Sequence, residues 1–301
     1  MPAIRSLDWR WVTLAVVSDL GVYACHAWRW NILLTPVVRV RFWRTVQSIY
    51  IGLFANEILP LRVGELIRCY LLAHWNDLRI SLSFASAAVE RLLDGLWIIV
   101  AFVITAAFVR GIPKDLTLLV QAMGLLLILG AALMMWIVSR KHQATATVSE
   151  GRWAATLRHV VEGLHLMGDV RTLGMTGLLS ALYLVLQIVS LYALMKAYEL
   201  DLSFWVAGGV LTIVRLATVV PNAPGNLGLL NASCVLAMRL FDVERNDAKT
   251  FSIIYYAAVT LPLLAGGAIA VALTGASIGE LHARARRSAA IAPAAPLPEE
   301  R

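Results

Sequence analysis

Charge is what this chain has least of. Asp, Glu, Lys and Arg make up 15% of its 301 residues and apolar types 59%, where soluble domains carry roughly 25% and about 45–50%. That leaves too little polar surface to cover a water-soluble globule, so the composition defines an integral membrane protein. Cysteine is scarce as well. Cys25, Cys69 and Cys234 fall in or beside apolar runs at no metal-ligand spacing and read as small buried residues. P-loop, HExxH and CxxC motifs are all absent, which removes the sequence grounds for nucleotide hydrolysis or zinc proteolysis. No cofactor, metal set or catalytic nucleophile is expected, and any transport is expected to be passive, ion-coupled or driven by downstream consumption. No cleavable signal peptide is expected either, because the first apolar run is long and contains Asp19, His26 and Arg29.

What the chain does have is apolar length. A membrane span needs about 20 apolar residues, and five runs supply them, at about 10–34, 81–109, 116–139, 172–196 and 250–275. Two further apolar regions are interrupted. One, about 43–73, breaks at Pro60 and Gly64; the other, about 204–241, breaks within "VVPNAPGNLG", which holds Pro221, Pro224 and Gly225. Each has room for two half-helices meeting at a bend. Both breaks share the pattern apolar-Pro-x-x-x-Gly-polar-Leu, 26 residues after Leu34 in one case and 25 after Lys196 in the other. The expected fold is therefore all-α and polytopic, with two repeats that each contain a re-entrant helix pair. Repeat 1 covers about 10–109, a connecting helix about 116–139, a cytoplasmic loop 140–171, and repeat 2 about 172–275; the membrane domain as a whole is 1–283. The Ala/Pro-rich stretch 284–301 has little to bury and is expected to be disordered.

The net charge of +7 suggests nucleic acid at first sight, but the Lys and Arg lie mostly in loops beside apolar runs. Anionic headgroups and membrane topology account for that placement, and no nucleic-acid partner is expected. With the N-terminus outside, 12 basic residues fall on the cytoplasmic side and 7 on the other, in line with the positive-inside tendency. The same orientation makes the second hairpin enter from the opposite face, so the repeats are expected to be inverted. Inverted repeats with paired broken helices place a transport site near the bilayer midplane. The expected location is the cell (inner) membrane, in a multi-pass arrangement.

The charges inside these segments carry the functional reading. A bend in a membrane helix frees backbone groups that only protein or a water-filled cavity can satisfy. The half-helix after Pro60 aims N–H groups and a partial positive charge at its surroundings. Arg62 and Arg68 add full charges, which suits an anionic guest such as a lipid phosphate; Glu57 and Glu65 would limit the net charge. The plainer reading is an interfacial hairpin anchored among headgroups. In "AVERLLDGL", Glu90, Arg91 and Asp94 lie about ten residues into a span, where each unpaired charge costs roughly 2.5–3.5 kcal/mol on insertion scales. One face then presents an ion network, either a gate or a structural staple, and loss of Arg91 is expected to strand its acids. The second hairpin offers Arg215, Asn222 and Asn226; for the asparagines alone, turn chemistry competes with headgroup binding. Asp19 and His26 are weaker candidates, and His26 and Arg29 are expected to snorkel toward the cytoplasmic interface.

Three stretches resemble the lysylphosphatidylglycerol synthase transmembrane region, or flippase-like domain: "NEILPLRVGELIR" at 56–68, "VERLLDGL" at 89–96 and "PNAPGNLGLLNA" at 221–232. With their spacing they cover roughly residues 10–275. The resemblance implies movement of a polar lipid between leaflets. It favours Asn56, Pro60, Arg62, Gly64, Glu65 and Arg68, then Glu90, Arg91 and Asp94, then Pro221, Pro224 and Gly225. Three departures stand out. These 301 residues hold no soluble aminoacyl-transferring domain, so lysyl transfer is not expected of them; an N-terminus shorter by one helix than in many members is expected, and Tyr256 stands where an arginine is expected. A polar or anionic lipid is the expected partner. The alternatives are an accessory membrane subunit of a separately encoded synthase or glycosyltransferase, and an intramembrane lipid-modifying enzyme.

Overall fold

The computed structural model describes residues 7–59, 63–108, most positions from 121 to 130 together with 118 and 132, and residues 167–218, 224–226 and 228–274. Pro60, Arg62, Pro221, Asn222, most of the loop 140–171 and the tail 284–301 lie outside the described residues, as does much of 116–139. The positions described between 118 and 132 are helical. Among the described residues there is no strand, and the protein is an all-α polytopic membrane protein.

Helix α1 (Trp9–Leu34) is followed by α2 (Phe42–Ile58), α3 (Gly64–Trp75) and α4 (Ile80–Phe108). The second half contains α5 (Val170–Ala197), α6 (Phe204–Ala217), a 3-10 turn (Pro224–Asn226), α7 (Leu229–Leu240) and α8 (Arg245–Thr274). Polar residues fix several starts. Asp8 accepts from the Arg10 N–H at 3.0 Å to open α1, Asp169 accepts from Thr172 to open α5, and Ser203 from Val206 to open α6.

Helices α4, α5 and α8 are long and apolar enough to cross a membrane. Helix α1 has 26 residues but carries ionisable groups along one face. By contrast α2, α3, α6 and α7 have 17, 12, 14 and 12 residues, or about 26, 18, 21 and 18 Å at 1.5 Å per residue. All four fall short of a hydrocarbon core of about 30 Å. The outer surface is apolar, with Leu178, Val103, Leu261 and Ile269 all exposed, as lipid rather than water requires.

The two halves pack in corresponding ways. Helix α2 pairs with α3 as α6 does with α7; α3 packs on α4 as α7 does on α8. Helix α2 also packs on α8, and α6 on α4, while α1 and α5 lie together along much of their length. Each half has its own apolar core, one around Trp30, Leu33, Ile49 and Leu72, the other around Leu191, Leu194, Val210, Met238 and Phe251. Helix α8 comes close to α2 because Gly266 and Gly267 leave room for Tyr50 and Phe54.

Candidate functional site

Helical periodicity on α1 aligns Asp19, Tyr23, His26 and Arg29 at spacings of four, three and three residues, on the face turned toward the other helices. The same logic on α4 stacks Ser83, Ser86 and Glu90, and on α5 Thr176, Ser180, Tyr183 and Gln187. These stripes meet in two adjoining places, an ion network and a polar cavity.

The network centres on Glu90, which is completely buried. Arg29 donates to its Oε1 at 3.3 and 3.4 Å, and Arg68 to its Oε2 at 3.2 Å. Arg29 also bonds Asp94 and donates to Ser180 at 3.1 Å, while Arg68 donates to Glu65 at 2.8 Å. His26 Nε2 lies 3.4 Å from Glu90 and 3.3 Å from Arg68; a neutral ring can serve only one of them at a time. The Arg29 guanidinium lies over the Tyr183 ring and that of Arg68 over Trp30. Three guanidinium groups, of Arg29, Arg68 and Arg91, thus balance three carboxylates, of Glu65, Glu90 and Asp94.

Two expectations need correction here. Arg29 and His26 do not snorkel: they are 0% and 4% exposed, because a centrally placed carboxylate gives the arginine more than the interface could. Arg91, expected to hold the acids of its own helix, is 51% exposed and sits 3.6–3.7 Å from Asp94 and Glu65. It closes the rim, whereas Arg29 from α1 holds the centre.

Beside the network lies a cavity of about 200 Å³ lined by both halves of the chain. Asp19, Tyr23 and His26 come from α1, Asn56 and Glu57 from the end of α2, and Glu65 and Arg91 from α3 and α4. Tyr183, Gln187 and Ser190 come from α5, Arg215 and Thr218 from α6, Gly225 and Asn226 from the turn, and Tyr255 and Thr260 from α8. Residues next to both sequence breaks therefore meet at one cavity. At the second break Gly225 has φ +67°, a conformation glycine adopts without penalty. A methyl group there would stand 2.9 Å from a Glu57 carboxylate oxygen and 3.1 Å from the Tyr256 hydroxyl. Asn226, also left-handed at φ +52°, is a residue type that tolerates this.

Of the residues singled out in the sequence, Asn56, Glu57, Glu65, Arg91, Arg215, Gly225 and Asn226 line this cavity, while Pro224 begins its turn. Arg68, Glu90 and Asp94 lie behind it in the network and are not among its lining residues. Asn56 also acts as a cap. Its Oδ1 accepts the Gly64 N–H at 2.8 Å at the start of α3, so one of the N–H groups expected to face a guest is already used. Gly64 itself lies against the Gly52 backbone. Arg29 and Asp19 lie outside the motifs, Asp19 ranked only as a weaker candidate, and Gln187 and Tyr183 were missed altogether. For the first two a signal was present, since ionisable residues spaced along one face of a membrane span point inward by default. Gln187 and Tyr183 carried none as clear.

Arg215 is not part of the ion network. Among the described residues no carboxylate lies within 4.0 Å of it, and it donates to the Tyr183 hydroxyl at 3.5 Å. The cavity thus combines an arginine without an ion-pair partner within 4.0 Å among the described residues with neutral donors and acceptors and with the carboxylates of Asp19, Glu57 and Glu65. No group of three or more His, Cys, Asp or Glu suited to a metal ion occurs among the described residues.

Fold and cavity together define a polytopic helical membrane protein with an internal polar cavity. The chain is a member of the lysylphosphatidylglycerol synthase TM region family, whose signature spans residues 1–292. It is similar to a UPF0104 membrane protein of Methanothermobacter thermautotrophicus, 22% identical over 92% of this chain and 89% of the relative. A second UPF0104 membrane protein of that organism is 23% identical over 80% of this chain and 76% of its own length. One from Methanocaldococcus jannaschii is 24% identical over 67% of this chain and 86% of its own length. No solved structure matches the chain.

Proposed function

We propose that this protein is a flippase-like lipid translocase, moving the head of a polar or anionic lipid between leaflets through the cavity. The observation that carries the reading is Arg215, a cation without an ion-pair partner among the described residues, in a cavity lined from both halves where the two broken regions meet. A phosphate would supply the missing charge-assisted hydrogen bonds. Asn56 and Asn226 would contribute neutral ones, and Arg62 and Asn222 remain assigned to the head on sequence grounds. Arg68, Glu90 and Asp94 hold the helices at the cavity wall, with Glu65 and Arg91 at its edge and Glu57 against the second turn. The corresponding packing of the two halves supports inverted repeats that rock about the site, exposing it to each leaflet in turn. In this reading the protein works in the cell's inner membrane, and no catalytic residue is needed.

Liposomes carrying acyl-chain-labelled phosphatidylglycerol and the purified protein test this directly. A membrane-impermeant quencher should reach inner-leaflet label much faster than in protein-free vesicles. Arg215→Ala, recovered folded and monodisperse, should slow that exchange by about tenfold or more, the scale of one charge-assisted hydrogen bond. Arg215→Lys should fall between the two, keeping the charge without the fork. Wild-type protein that moves no lipid, whatever its head, overturns the reading; stable co-purification with a synthase or glycosyltransferase would then favour an accessory subunit.

A further inference from the structure

A second feature of the cavity narrows the class of lipid, on the assumption that the translocase reading holds. Asp19 lies midway along α1, 6% exposed, in the wall of the same cavity as Arg215. Its Oδ2 is buried with no hydrogen-bond partner among the described residues, and no basic group among them lies within 4.0 Å of the carboxylate. Tyr23, one turn on, hydrogen-bonds the same carboxylate, and Arg215 acts on it from across the cavity without forming an ion pair. Ten residues into a helix, a carboxylate in this condition is costly unless a guest completes it.

The other charges lining the cavity do not play this part. Glu65 and Arg91 face each other at 3.7 Å, Glu57 stands against Gly225 at the second turn, and His26 is engaged with Glu90 and Arg68. One acceptor and one cation, on opposite halves of the protein, are left turned to the same small space. An anionic head would answer Arg215 and leave Asp19 worse off. A head that is merely hydroxylated would give Asp19 a hydrogen bond but no opposing charge.

We propose that the cavity recognises a dipolar lipid head, with its phosphate at Arg215 and a primary ammonium group at Asp19. An N–H donor on a positive charge completes Oδ2, and a head that also carries the phosphate adds no net charge to the cavity. Discrimination then comes from the ammonium end, because a site built for a charged donor leaves its acceptor stranded when the donor is missing.

The test compares phosphatidylethanolamine, N-acetylated phosphatidylethanolamine and phosphatidylglycerol, all acyl-chain-labelled, in proteoliposomes of one composition. The expected result is exchange of phosphatidylethanolamine about tenfold or more faster than either of the others. Asp19→Asn should abolish that preference, and should remain folded, since it removes no ion pair within 4.0 Å among the described residues. Thermal stabilisation of the solubilised protein by short-chain phosphatidylethanolamine, lost in Asp19→Asn, gives a readout independent of transport. Equal rates for all three lipids, or a preference that survives Asp19→Asn, overturn the dipolar-head proposal and leave the translocase reading standing. Exchange of none of them overturns both.

Discussion

Replacing Arg29 by Ala should prevent the protein from being recovered as a monodisperse species, or lower its melting temperature in detergent by roughly 10 °C or more. Arg29 comes from α1 and holds two carboxylates of α4, Glu90 and Asp94, together with Ser180 of α5. Three cations and three anions balance in this network, so removing one arginine leaves a net negative charge in the interior. Breaking a buried pair from one side costs about 3–5 kcal/mol, because the remaining partner stays desolvated. Arg29→Ala combined with Asp94→Asn restores the balance and should regain a large part of the loss, which separates charge from packing. Arg91→Ala should cost only about 0–1 kcal/mol, as exposed pairs do. Equal melting of the Arg29→Ala and wild-type proteins would show that the network does not hold these helices together.

Gly64→Ala should be almost as damaging, for a different reason. A Cβ at this position would collide with the Gly52 carbonyl oxygen and stand 2.5 Å from Asn56 Oδ1. The first obstacle is backbone, so α2 and α3 must separate, and the Asn56 cap on α3 is lost with them. The expected cost is about 3 kcal/mol or more, at the upper end for overpacking. Gly174→Ala is the control, because a Cβ there meets nothing within 4 Å. That change should be neutral or stabilising by a few tenths of a kcal/mol to about 1 kcal/mol, as helix propensity dictates. Thermal melts of the two variants side by side decide it, and Gly64→Ala with an unchanged melt would contradict the close backbone crossing.

The fold was largely legible because apolar run length and helix breakers act locally. The runs at 81–109, 172–196 and 250–275 are the sites of α4, α5 and α8, and the two interrupted regions hold the short pairs α2–α3 and α6–α7. The network was legible only in part. Glu90 and Asp94, one turn apart on an apolar helix, implied that partners must exist, but nothing local said that the central one was Arg29, 61 residues away. Long-range pairing of this kind depends on how α1 packs against α4 and α5, which spacing within one segment cannot give. Snorkelling was a fair expectation for an arginine near a helix end, and it failed because the interior offered two carboxylates. The cavity was anticipated at the breaks, since Glu57 and Gly225 do meet there. The contribution of α5 was not, because Gln187 and Tyr183 look like ordinary residues in a span.

The most direct test of the central claim, that a lipid head crosses through this cavity by exposure to each side in turn, is two-sided thiol accessibility. Cys25, Cys69 and Cys234, all buried, would be replaced by Ala, and a single cysteine introduced by Gln187→Cys on the cavity wall. Leu178→Cys, on the exposed face of α5, serves as the lipid-facing control. In vesicles of known orientation, a membrane-impermeant maleimide should label position 187 from either side at rates of the same order, and position 178 from neither. Labelling of position 187 from one side only, in protein that moves lipid, would contradict the account.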